Sequence, residues 1–167
     1  MDEQPRNLPN AEYRRFEGMR EYESLIDSFI PQTLRVIRVF DKSLSGEYNS
    51  AGRCDLLREF LRASRVNRLF IVLHEVEVVE RHCPRFLEFM QHFHHAVSIR
   101  QTLQAAKLLY DPFVVFDASH YVHRFHYDHL RAAQGTNDVV GAQQLIDRFS
   151  EIWDASAPAV SIDVSGL

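Results

Sequence analysis

Three short runs dense in β-branched and aromatic residues, 33–40 (TLRVIRVF), 68–73 (RLFIVL) and 96–100 (AVSIR), are separated by stretches of helical periodicity. That alternation narrows the possible folds most. A strand, helix, strand, helix, strand order with short links calls for right-handed crossovers and a mostly parallel sheet with helices packed on its faces. The 68–73 run is apolar almost throughout, as a strand covered on both faces must be. In the first intervening helix Cys54, Leu57, Phe60 and Leu61 share one face, Asn49 or Ser50 is placed to cap, and Arg53, Arg58 and Arg62 are expected to face water. In the second, Pro84 sits in the first turn after Cys83, and Phe86, Phe89, Met90 and Phe93 form the apolar side.

The flanks complete the outline. Residues 1–16 are polar and contain Pro5 and Pro9, so they are expected to form a flexible N-terminal tail, leaving 17–167 as a single α/β domain. Met19, Tyr22, Leu25, Ile26 and Phe29 recur at helical spacing ahead of Pro31. Residues 101–109 fit either a loop or a short helix. The runs 112–116 and 119–125 are close enough to pair as a hairpin around Asp117 and Ala118. After a break at 135–138, Ala142, Leu145, Ile146, Phe149, Ile152 and Trp153 share one helical face, with Asn137 or Asp138 near its start. Pro158 ends that helix, and alternating Val160, Ile162 and Val164 predict a short edge strand. The expected fold is therefore α/β: a mostly parallel mixed β-sheet flanked by helices, with a C-terminal β-hairpin and a closing helix.

Composition excludes some functions. A chain of 167 residues, 46% hydrophobic and 25% charged, can bury one core without disulfides or metal. Its formal charge of −4 gives no general attraction to nucleic acid or to an anionic membrane, and neither is expected as a partner. Cys54 and Cys83 lie in apolar-periodic segments, which suits packed thiols in a reducing compartment. The N-terminus lacks the basic start and apolar core of a signal peptide, and no run approaches a membrane span. These features predict a cytoplasmic protein without a cofactor.

Several features occur in a telling order: a first strand ending in Asp41, Ile99-Arg100 on the third strand, a hairpin strand ending at Asp117, and a late helix reading Phe149-x-x-x-Trp153 followed by Ser156. Over most of residues 17–157 this layout resembles one half of a phospholipase D-like unit, and more nearly a group of uncharacterised bacterial domains built on that half. The family motif is HxKxxxxD. Aligned on Asp117, it places Tyr110 where the family has its nucleophilic histidine and Pro112 where it has its lysine. The family chemistry uses one histidine as nucleophile, a second as general acid, and lysines to hold the charge on phosphate. A tyrosine, with an ordinary pKa of about 10, is a poor phosphoryl acceptor, and a proline offers neither charge nor amide proton. Where the family often has Gly-Ser-x-Asn, this chain has Arg124, Phe125 and Tyr127. The resemblance thus implies a pseudoenzyme, with Asp117 kept to close the hairpin.

Other residues could rebuild a site. Ligands of α/β sheets bind beyond the carboxyl ends of strands. His74 and Glu75 follow the second strand, Asp41 ends the first, and Tyr110 and Asp111 precede the hairpin strand. With Asp117 they make up the candidate ligand-binding residues, although loop polarity and helix capping explain the same pattern. His74 with Glu75 or Asp41 could act as a general acid/base pair. The histidines at 120, 123, 126 and 129 do not converge on either a strand or a helix, so no metal is expected. Arginines 53, 58, 62, 65 and 68 read as a solvated basic face. Two functions follow: a non-catalytic phospholipase D-like module binding a protein partner or a phosphorylated ligand, or a phosphodiesterase-like hydrolase rebuilt from His74, Glu75 and Asp41. A homodimer built through the sheet edge or crevice is a third role.

Overall fold

Strands β2 (Val36–Asp41), β3 (Arg68–Leu73) and β4 (Val97–Thr102) lie side by side and parallel. This computed structural model describes residues 6–159. Around the parallel block, β1 (Glu12–Glu17), β5 (Phe113–Phe116), β6 (His120–Arg124), β7 (Arg131–Thr136) and β8 (Ser156–Pro158) complete an eight-stranded sheet in the order β1-β7-β6-β5-β2-β3-β4-β8. The mixed α/β class is as expected, but the parallel share is smaller: five of the seven pairings are antiparallel.

Helices cover both faces. Helices α1 (Met19–Phe29), α2 (Ala51–Arg62), α3 (Glu77–His82) and α4 (Pro84–His92) share a core with Ile37, Val39, Leu69, Ile71, Leu73, Ile99 and Val122. On the other face α5 (Val139–Asp154) packs Ala142, Leu145, Phe149 and Ile152 against Phe40, Val72, Phe113, Val115 and Tyr121. β3 feeds both layers, which is why 68–73 carries no polar alternation. Ser50 caps α2 by accepting the Arg53 amide, and Asp138 caps α5 through the Gly141 amide.

The conspicuous residues of the late helix form a clamp. The Arg100 guanidinium lies 4.9 Å from the Trp153 ring centroid and donates to Ser156 Oγ at 2.7 Å and to the Ser156 carbonyl. It thereby holds α5 and β8 against β4.

Three expectations are corrected. The N-terminal tail does not extend to residue 16, because Glu12–Glu17 is an edge strand antiparallel to β7. Its side chains are mostly exposed, so backbone pairing rather than an apolar face orders it. The break before α5 is preceded by a strand, β7, hidden in the weakly β-prone RAAQGT. Gly135 is needed there, since a Cβ would sit 2.2 Å from the Tyr121 ring. Arg53 does not face water: it is 1% exposed, bonded to Glu23 at 2.7 Å and Asp27 at 2.8 Å, with its guanidinium 4.6 Å from the Tyr48 ring centroid. The strand expected at Val160, Ile162 and Val164 lies outside the described residues.

Candidate functional site

Side chains alternate across a strand, so the last two residues of β2 point to opposite layers. Phe40 enters the α5 core, and Asp41 turns toward α1 and α2. There Asp41 meets Glu23 of α1, Lys42 and Ser45 of the loop before α2, and Arg124 at the end of β6 around a cleft of about 250 Å³. Tyr127 and Asp128, from the β6–β7 loop, complete the rim.

The electrostatics of the cleft are unusual. Burial pushes the Asp41 carboxyl up to about 7; the Lys42 amide, bonded at 2.7 Å, and Arg124 oppose the rise, and Glu23 reinforces it. Arg124 is 8% exposed and donates through Nη2 to the carbonyls of Tyr127 at 2.6 Å and His129 at 3.0 Å. Its guanidinium lies 5.7 Å from the Tyr22 ring centroid. Burial, and next the Asp41 charge, raise the Tyr22 hydroxyl well above its ordinary value, so it stays protonated. Lys42 Nζ lies 5.1 Å from the Tyr127 ring centroid.

Buried polar groups are normally paired, and leaving one unpaired costs about 1–3 kcal/mol. Among the described residues five buried side-chain polar atoms lack a protein partner, and three of them, Tyr22 OH, Ser45 Oγ and Arg124 Nε, belong to this neighbourhood. Ser45, Arg124 and a carboxyl that titrates near neutrality thus line one small hollow, with the Tyr22 ring beside Arg124 behind it. Chemically it can hold an oxyanion and exchange a proton. A second groove of about 630 Å³ runs past Phe125, Leu130 and Arg131 without such a concentration.

The other sequence candidates scatter. His74 is buried on the α5 side, edge-on to Phe40, with Nδ1 2.7 Å from Thr102 Oγ1 and Nε2 2.6 Å from the Leu109 carbonyl. Since a carbonyl only accepts, the proton is on Nε2 and Nδ1 accepts from the threonine hydroxyl. His74 and Asp41 are therefore on opposite faces of the sheet, and Glu75 is exposed. Tyr110 is 52% exposed and stacks on His126. Asp111 pairs with His123 at 2.9 Å and with Arg148; burial would raise its carboxyl, but these partners hold it below the usual range. Asp117 lies at the far end of β2, accepting the amides of Leu34, Arg35 and Val36. It adopts a φ of 53° in the β5–β6 turn.

The histidines of β6 are equally dispersed, and only His126 and His129 of the four from 120 to 129 come together, with ring centroids 4.9 Å apart. His120 stacks on Phe29 on one face, His123 serves Asp111 on the other, and His126 accepts the Asp128 amide. Among the described residues no three His, Cys, Asp or Glu side chains are grouped to hold a metal ion. No described helix is long and apolar enough to cross a membrane.

The profile of a family described as a domain of unknown function, DUF7931, matches residues 19–163. The chain belongs to the DUF7931 family. No curated protein matches it. Solved structures do: TrmBL2, an archaeal chromatin protein, has 11% identity and a TM-score of 0.67, the match covering 91% of this chain and 55% of that one. This chain thus spans about half of TrmBL2. Nuc from Salmonella typhimurium, a phospholipase D family member, has 12% identity and a TM-score of 0.65, covering 89% and 98%. NucT from Helicobacter pylori has 11% identity and a TM-score of 0.56, covering 89% and 99%. At these identities the likeness is one of fold. It makes the DUF7931 domain phospholipase D-like in architecture.

Sequence reasoning found one residue of the DUF7931 cleft, Asp41. It missed Glu23, Lys42, Ser45, the buried role of Arg124, and Tyr22 beside Arg124. For Arg124 a signal existed: it occupies the same inward register as Val122 in β6, where an arginine must find internal partners. Tyr22 carried none, because an aromatic on the apolar face of a helix reads as core.

Proposed function

We propose that this protein is a non-catalytic phospholipase D-like module that binds a phosphorylated ligand in the Asp41–Arg124 cleft. The observation that carries the reading is the pair of unpartnered Ser45 and Arg124 atoms in residues that line a cleft roomy enough for a phosphate group, with Lys42 at its rim. An arginine and hydroxyl donors suit phosphate oxygens. The absence of catalysis is supported by Tyr110 and Pro112 at the positions that the resemblance gives to histidine and lysine. The rival reading, a hydrolase rebuilt from His74, Glu75 and Asp41, has less support, since both His74 nitrogens are engaged and Asp41 faces the other layer.

Two measurements test the proposal. Purified protein is expected to leave bis(p-nitrophenyl) phosphate intact, and calorimetric titration with inorganic phosphate is expected to give binding that Arg124→Gln and Lys42→Ala each weaken at least several-fold. Phosphodiester turnover lost on His74→Ala would establish the rival, and phosphate binding indifferent to both cleft variants would remove the proposed site.

A further inference from the structure

Arg124 has two claims on its charge. When Asp41 is ionised, its carboxylate faces the guanidinium across the same cleft and lowers the positive potential there, and an incoming anion would bring a second negative charge into a small space. When Asp41 is protonated, that opposing charge is gone and the carboxyl lining the same hollow can donate a hydrogen bond. The groups around Asp41 sharpen the choice. Glu23, from α1, is held by Arg53, and the hydroxyls of Tyr22 and Tyr48, from α1 and the 3-10 turn Gly46–Asn49, stay protonated because burial raises both. Lys42 and Arg124 supply positive charge, and Asp128 at the rim supplies negative charge. Asp41, half-buried in the cleft wall, is balanced near neutrality.

We infer that the cleft is a proton-coupled anion site: it takes a doubly charged tetrahedral oxyanion on Arg124, Lys42 and Ser45 together with one proton on Asp41. This rests on the proposed ligand class and adds its regulation. The linked equilibrium is balanced: the free protein with Asp41 ionised plus one anion plus one proton from solvent gives the bound state with Asp41 neutral. Anion affinity therefore falls as pH rises through the Asp41 titration, by a limiting factor of about ten per pH unit. An acidic medium would load the site, and an alkaline one would empty it.

Sulfate is the probe, because its charge stays constant over the range where phosphate itself titrates. Calorimetry from about pH 5.5 to about pH 8.5, in buffers of different ionisation enthalpy, is expected to show affinity level below about pH 7 and falling above it, with uptake approaching one proton per sulfate at the alkaline end. Asp41→Asn is expected to bind sulfate near the acid-side wild-type affinity at every pH. Sulfate binding that is strong but flat with pH would overturn the coupling and leave the anion site standing. Sulfate binding absent throughout, with circular dichroism showing folded protein, would remove the ligand class and the coupling with it. A pH dependence that persists in Asp41→Asn would overturn the role given to Asp41.

Discussion

Burial raises the Asp41 carboxyl to about 7, and an aspartate in an unfolded chain titrates near about 3.9. Below about pH 4 both states are protonated and the contribution to stability is complete. Between about pH 4 and about pH 7 the unfolded chain ionises while the folded one does not, so stability falls, and above that it is level. Urea denaturation of the wild type is expected to follow this decline. Asp41→Asn is expected to flatten it and to exceed the wild type at about pH 8 by on the order of 2–4 kcal/mol. Asp117 works through geometry instead. Its carboxylate accepts three amides at the start of β2, from a left-handed backbone conformation that aspartate and asparagine tolerate better than alanine. Asp117→Ala is expected to lose about 2–4 kcal/mol in the same experiment, and Asp117→Asn distinctly less.

Between elements, the packing depends on residues whose types mislead when read locally. Arg53 fastens α2 to α1 through Glu23 and Asp27, and removing one partner of a buried ion pair strands the others. Arg53→Ala is expected to cost about 3–5 kcal/mol, while Arg58→Ala, which breaks an exposed pair with Asp55 in the same helix, costs less than about 1 kcal/mol. Chemical denaturation of the two variants side by side decides it. β7 is held by its neighbours: Gly135 lets the Tyr121 ring lie flat on the strand while its hydroxyl donates to Asp138 at 2.6 Å. Gly135→Ala drives a methyl into that ring, and a loss of about 1–3 kcal/mol is expected.

At the scale of the molecule, burial is deepest in the central strands, β5 above all and then β3, and shallowest at the β1 edge, whose pattern is exposed at five of its six positions. Hydrogen exchange is therefore expected to be slowest in β5 and β3 and fastest in β1, and uniform exchange across the sheet would contradict this layering. The central layers were legible because periodicity reports burial directly: 68–73 matches β3 at both ends, and Met19, Tyr22, Ile26 and Phe29 mark the inner face of α1. The edges were not, because β1 and β7 owe their strands to each other and to β6, and pairing leaves little trace in either segment alone. The cleft follows the same division. By itself the sequence determined that Asp41 ends a buried strand and that helices cover both faces of the sheet. Only the tertiary structure decided that Arg124 joins Asp41 in one cleft while His74 faces the opposite layer, because contacts between residues so far apart in the chain depend on strand order and facing, which local spacing does not encode.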